Sequence, residues 1–204
     1  MEIAILHTAP DFLVCCKPAG VESEKQLPNL LCRQTGAEML YPVHRLDKET
    51  PGVMVFAKTK SAAAYFSKEI GENRFQKQYL AVVKGRLEEK TATLTDLLFR
   101  DKQKNKSHPV KRMRKGVKEA VLSYRVLEEI TVENRLYSLV EIHLQTGRTH
   151  QIRVQFASRK HPLLGDKKYG GNPHSHLCLL AKQLTFVDPQ GETVTFTANQ
   201  EILP

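Results

Sequence analysis

The chain alternates short apolar runs with polar turns. Ile3 to Leu6 and Phe12 to Cys16 are strand-like runs on either side of an Ala9-Pro10-Asp11 turn. Val53-Met54-Val55-Phe56-Ala57 is an unbroken apolar run entered from Thr50-Pro51-Gly52. β-branched and aromatic residues after a Pro-Gly turn read as a loop feeding a buried strand. Beyond it the period changes: Ala62, Tyr65, Phe66, Glu69 and Ile70 recur at helical spacing up to Gly71, with Thr59 and Ser61 offering capping hydroxyls. This predicts a helix over 61–70. A shorter helix is predicted over 28–34, with Pro28 in its first turn and Gly36 just past its end.

The second half is richer in strands. Gln78 to Val83 reads as a strand ending near Gly85. Val121 to Glu128 and Leu136 to Leu144 read as a hairpin joined across 131–134, with Leu136, Val140, Ile142 and Leu144 on one face at period two. After Gln145-Thr146-Gly147, Thr149 is expected to cap a helix in which Ile152 and Phe156 share a face. Leu177 to Val187, the turn Asp188-Pro189-Gln190-Gly191 and Thr193 to Ala198 close the chain with a second hairpin. Many strands with two or three helices predict an α+β fold on a largely antiparallel mixed sheet. The 204 residues suffice for one large domain or two small lobes around a sizeable core.

Composition narrows the class. The N-terminus has no basic region ahead of an apolar stretch, and no apolar run approaches a membrane span, so a cytoplasmic protein without a membrane partner is expected. Cys15, Cys16, Cys32 and Cys178 form no C-x-x-C pair. They read as reduced thiols, and neither a disulfide nor a metal site is expected. No phosphate-binding loop or dinucleotide fingerprint is present, so no cofactor is expected. The formal charge of +9 is concentrated in one stretch: between Arg100 and Lys118 nine basic residues face the single Asp101, a net of +8. Such a loop is either a solvated surface or a phosphate-backbone contact, because cationic side chains gain affinity by releasing counterions from nucleic acid.

The candidate chemistry lies in Tyr41 to Lys58. Within it, Asp47 sits among His44, Arg45 and Lys48, and nearby positive charge favours an ionised carboxylate able to act as nucleophile or base. The plainer alternative is a turn cap or a pair with Arg45. The string His44-Arg45-Leu46-Asp47, followed by Thr50 and Gly52 and then the apolar strand, resembles the catalytic motif of the RluA-type RNA pseudouridine synthases. Lys17-Pro18-Ala19-Gly20 resembles the first motif of that family. Gly147-Arg148-Thr149-His150-Gln151-Ile152-Arg153-Val154, with His161 to Asp166 and Tyr169-Gly170, resembles the third. The likeness runs in the same order from about residue 11 to 198.

The resemblance implies a single catalytic domain over 1–204, two lobes flanking an active-site cleft, and an isomerase that turns uridine into pseudouridine in structured RNA. Asp47 would be the catalytic residue. Tyr79, in the segment Arg74 to Tyr79, would stack on the flipped base. Arg153 would face and orient Asp47, Ile152 would pack on the uracil or serve as plain core, and Arg45 would fill the gap the base leaves. Arg148 would touch phosphate. The 100–118 loop, through Lys111, Arg112, Arg114 and Lys115, would bind RNA. The expected substrate is ribosomal RNA, above all of the large subunit, ahead of transfer RNA, and the expected state is a monomer. The likeness begins only about ten residues into the sequence, so target choice is expected to come from the catalytic domain itself. Two positions depart from the family pattern: Pro51 stands where Ser is usual, and Leu180 where His is usual. The alternative is an RNA-binding or ribosome-associated protein of the same fold without turnover. A zinc deaminase is disfavoured by the missing H-x-E and P-C-x-x-C signature, and a two-metal nuclease by the lack of clustered carboxylates.

Overall fold

The computed structural model describes residues 1–202. In chain order these form β1 (Ala4–Thr8), β2 (Phe12–Lys17), α1 (Gln26–Thr35), β3 (Tyr41–Pro42), β4 (Gly52–Ala57), α2 (Lys60–Gly71), β5 (Gln76–Lys84), β6 (Thr91–Asp101), β7 (Lys106–Val110), β8 (Val117–Val132), β9 (Arg135–Leu144), α3 (Gln151–Ser158), β10 (Leu179–Val187) and β11 (Thr193–Thr197). The class is α+β with a mainly antiparallel sheet, as the pattern predicts; β4 with β10 is a parallel pairing. Contacts divide the chain into two compact units, Met1–Lys77 with Leu180–Gln200, and 78–179 with the chain end.

In the first unit the strands run β1, β2, β4, β10, with β3 against β4 and β11 against β10. Every residue of β2 and β4 is buried, the signature of strands covered on both faces. They pair antiparallel with Val14 opposite Val55 and Cys15 opposite Met54. The core gathers aromatic rings: Phe12, Phe66 and Phe186 meet edge-on at centroid distances of 5.4–5.7 Å, and Phe75 stacks on Phe186 at 5.0 Å. Helix α2 starts where predicted, with the Thr59 hydroxyl accepting from the Ala62 amide at 3.1 Å. Its Tyr65 hydroxyl donates to the Asp188 carbonyl at 2.8 Å, tying the helix to the end of β10. Gly36 ends α1 in the left-handed conformation. Gly52 is required by contact as well as by φ +127: a Cβ there would lie 2.1 Å from the Ala181 carbonyl oxygen, in the β4–β10 pairing.

In the second unit the order is β5, β9, β8, β6, β7. The hairpin β8–β9 turns at Glu133 and Asn134, both at positive φ, and a register shift between Val126 and Glu128 leaves Leu127 exposed. Val140 and Ile142 are buried as predicted. Leu136 is 42% exposed, because it lies opposite Thr131 near the hairpin tip, where little covers that face. The basic stretch expected as one loop is instead divided: β6 ends in it, β7 returns antiparallel with Leu97 opposite Val110, and β8 begins at Val117. Arg100 and Asp101 end β6 in charge, and Lys106-Ser107-His108-Pro109 gives β7 no apolar alternation to mark it as a strand. Two turns remain in it, 102–105 and 111–116, and Lys111, Arg112, Arg114 and Lys115 are all exposed on the second. Helix α3 packs on this sheet through Gln155, whose amide donates to the carbonyls of Leu94 and Ala120, and through Phe156 against Tyr124.

Candidate active site

The first unit carries Asp47 on the irregular segment between β3 and β4. The preceding Leu46 is buried, which pins the segment, and Asp47 is half-buried. Its carbonyl accepts from the Thr50 amide at 3.0 Å, closing a turn. The carbonyls on either side are held as well. Leu46 accepts from the Ser23 hydroxyl at 2.9 Å, and Lys48 accepts from the Gly20 amide at 2.8 Å and the Lys17 ammonium at 3.0 Å. Gly20 lies at φ +84, a conformation that costs other residues about 1–2 kcal/mol.

Lys17 is the centre of this clamp. Its side chain is 0% exposed, and Nζ donates to three carbonyls, those of Pro18 (3.0 Å), Val21 (2.9 Å) and Lys48. Three donors meet three acceptors, so the buried ammonium is fully satisfied. Burial pushes its pKa down to about 8, against the pull of Asp47, Glu49 and Glu22. The buried cation that Asp47 attracts is therefore Lys17, from the first motif.

The neighbours named by sequence play other parts. The His44 Nε2 accepts from the Val55 amide at 3.1 Å, so the neutral ring carries its proton on Nδ1. Burial, reinforced by Lys77, pushes His44 down to about 3, and it supplies no positive charge at neutral pH. Arg45 pairs with Glu24 at 2.8 Å, both about half exposed, an ion pair of about 0–1 kcal/mol.

The second unit carries Tyr79, Ile152 and Arg153, all buried. Tyr79 belongs to β5, and the other two to α3. Thr149 does not cap α3. His150 takes the cap position in the left-handed conformation, and the Gln151 side chain does the bonding: its oxygen accepts from the Arg148 amide at 3.0 Å and the Thr146 hydroxyl at 2.8 Å. The arginine's fork takes Asp166, with Nε to Oδ2 and Nη2 to Oδ1 both at 2.8 Å. Asp166 is itself 1% exposed, and its Oδ1 also accepts from the amides of Lys168 and Tyr169. The Arg153 guanidinium carbon lies 5.4 Å from the Tyr169 ring centre. The Tyr169 hydroxyl accepts from the Ser107 amide at 2.8 Å and meets His150 Nδ1 at 3.0 Å, while Lys106 Nζ sits 4.9 Å over the ring. Strand β7 is thus fastened to the start of α3. Arg148 donates through Nε to the Glu119 carbonyl at 2.8 Å, beside Lys118.

Lys17, Asp166 and Tyr169 all stand inside the motif strings, yet sequence gave them no role. A partner seen only through a backbone carbonyl, as for Lys17, leaves no mark in residue types. For Asp166, the Gly165-Asp166 turn is the available signal: a Cβ on Gly165 would lie 1.8 Å from the His176 carbonyl oxygen.

Comparison with known proteins finds that residues 11–158 match the model of the family described as RNA pseudouridylate synthase. An uncharacterized RNA pseudouridine synthase, YhcT, of Bacillus subtilis is 37% identical over 83% of this chain and 58% of its own length. The ribosomal large subunit pseudouridine synthase D of Xylella fastidiosa is 37% identical over 84% of this chain and 53% of its own. The chain thus spans a little over half the length of these curated relatives. The solved structure of human RNA pseudouridylate synthase domain containing 1 superposes with a TM-score of 0.84 at 26% identity, covering 98% of this chain and 84% of that one.

Replacing Lys17 by Met removes the clamp while filling similar volume. It leaves three carbonyls without their donor, and urea unfolding at pH 7 is expected to show a loss of about 2–4 kcal/mol. The free lysine titrates at 10.5 and the buried one near 8, so between these values the unfolded chain holds more protons. Stability from this group therefore rises with pH across that window. The deficit of Lys17→Met should widen between pH 8 and 10.5; a deficit that shrinks as pH rises would mean that the three carbonyls and the nearby carboxylates hold the folded lysine's pKa above the free value of 10.5.

Proposed function

The chain belongs to the RNA pseudouridylate synthase family, and on that premise we propose that it isomerises uridine to pseudouridine in structured RNA, with Asp47 as the reacting carboxylate. The observation that carries this reading is Asp47 on a segment whose backbone is fixed before, at and after it, inside the residues that match the family. The reaction breaks the N1–C1′ bond, turns the uracil and joins C5 to C1′. It is balanced within one nucleotide, with the C5 hydrogen leaving as a proton and N1 gaining one. A carboxylate suits the charge deficiency that develops at C1′, and fixing its backbone places it without reorganisation during the reaction.

In this reading Tyr79 and Ile152 hold the uracil, the first by stacking, and Arg153, made rigid by Asp166 and Tyr169, presents charge to the reacting group. Arg45 is positioned by Glu24 only weakly, which suits a side chain that must move into a duplex as the base leaves. Arg148, Lys111, Arg112, Arg114 and Lys115 contact phosphates. The substrate is ribosomal RNA, in line with the relative named for the large subunit, ahead of transfer RNA. The protein acts in the cytoplasm, as a monomer, without a cofactor.

Tritium release from RNA labelled at uridine C5 tests the chemistry, because that hydrogen is lost when C5 bonds C1′. Wild type should release tritium from unmodified ribosomal RNA transcripts, and Asp47→Asn should lower the rate by on the order of a thousandfold or more while still binding. Tight binding by wild type without release from either ribosomal or transfer RNA would favour the RNA-binding alternative.

The 111–116 turn is tested separately. Replacing Lys111, Arg112, Arg114 and Lys115 by Gln should weaken RNA binding and reduce the slope of log affinity against log salt by up to about three. An unchanged slope would remove these residues from the RNA contact.

A further inference from the structure

The segment leading into β10 holds a cluster that the proposed reaction does not use. His174, His176 and Cys178 alternate with Ser175 and Leu177 in a segment that bends at Ser175 and His176. One donor atom from each, two imidazole nitrogens and the Cys178 sulfur, lies within 4.8 Å of the others. The imidazole rings stand 5.1 Å apart. Ser175 meets His176 Nδ1 at 2.9 Å, and Nε2 lies 3.9 Å from Cys178 Sγ and 3.5 Å from the Ile202 carbonyl oxygen, a contact that a metal would replace. His174 Nε2 is buried and finds no hydrogen-bond partner among the described residues. A buried polar atom left in this state is unfavourable, and a bound cation would relieve it.

The backbone behind the cluster is already fixed. The Cys178 amide donates to the Leu164 carbonyl at 2.9 Å, and its carbonyl accepts from the Val82 amide at 3.1 Å. The His176 carbonyl lies against Gly165, where no Cβ could fit. Cys178 is fully buried and His176 is exposed, so the ligand that must move is the one free to do so. Tetrahedral zinc, with bonds of about 2.0–2.1 Å to nitrogen and 2.3 Å to sulfur, brings its donors within about 3.3–3.8 Å of one another. Closing from a spacing of up to 4.8 Å takes a shift of about 1 Å in the donor atoms.

We propose that His174, His176 and Cys178 bind a zinc ion, which fixes the fold of this segment beside the Leu164–Asp166 turn that holds Arg153. Two imidazoles and a thiolate are a borderline-soft set suited to Zn2+, with a fourth position left for water. On binding, the Cys178 thiol gives its proton to solvent and the sulfur takes the metal; the imidazoles bind neutral and no electron is transferred. The four cysteines show no zinc spacing in the sequence, because two of the three ligands are histidines in an H-x-H-x-C pattern.

The test is a Co2+ titration of the metal-free full chain under reducing conditions. One equivalent should develop a thiolate-to-cobalt charge-transfer band with visible bands of tetrahedral intensity, and added Zn2+ should abolish both. Cys178→Ser should lose the charge-transfer band. His176→Ala, at an exposed position where folding is not at stake, should weaken cobalt and zinc affinity by more than about tenfold. No thiolate band at one equivalent would overturn the site. So would a band that survives Cys178→Ser, which would put the metal on other cysteines, or zinc affinity unchanged in His176→Ala.

Discussion

A buried ammonium surrounded by backbone carbonyls is the constraint on which the candidate site depends. Taking a lysine out of water is unfavourable unless every N–H finds an acceptor, and Lys17 finds three. One of them belongs to Lys48, the residue after Asp47. The chemistry of burial thereby becomes a positional restraint: the Asp47 segment cannot shift without leaving an unsatisfied charge beneath it. Gly20 and Ser23 reinforce the same segment from the same loop. This gives the first motif a physical purpose, since it supplies the donors that hold the second.

The second unit uses the same economy in another form. Arg153 and Asp166 are both buried, a pair that is stable only when the remaining hydrogen-bonding capacity is met. The Lys168 and Tyr169 amides meet part of it on the carboxylate, and Tyr169 then reaches Ser107 on β7. A chain of contacts thus runs from the buried arginine to the strand that opens the basic turn. The strand that leads into that turn and the orientation of Arg153 share one rigid support. The His174–Cys178 segment, pressed against Gly165, borders the same turn.

Much of this was legible in the sequence, and the failures have identifiable causes. Strands β2 and β4 and helix α2 announced themselves through unbroken or helically spaced apolar residues and a Thr59 cap. Strand β6 went unread although its outward Thr91, Thr93 and Thr95 suit a strand, and β7 was hidden because Lys106-Ser107-His108-Pro109 shows no apolar alternation and contains a proline. Thr149 had the composition of a cap, but a Gln151 side chain bonded back to the turn does its work. His44 and Arg45 looked like the positive surroundings of Asp47. Residue types cannot reveal that one is neutral and bound to the Val55 amide while the other turns to Glu24. The cation beneath Asp47 comes from 30 positions earlier, a distance only the fold can close.

The claim that the clamp positions Asp47 is tested most directly by single-turnover isomerisation with Lys17→Met, at saturating protein and below the variant's unfolding transition. RNA affinity should stay within about twofold, and the rate of pseudouridine formation should fall by about 10²-fold, the effect of misplacing a reacting group by about 1 Å. A folded, RNA-saturated variant that turns over at the wild-type rate would contradict the account.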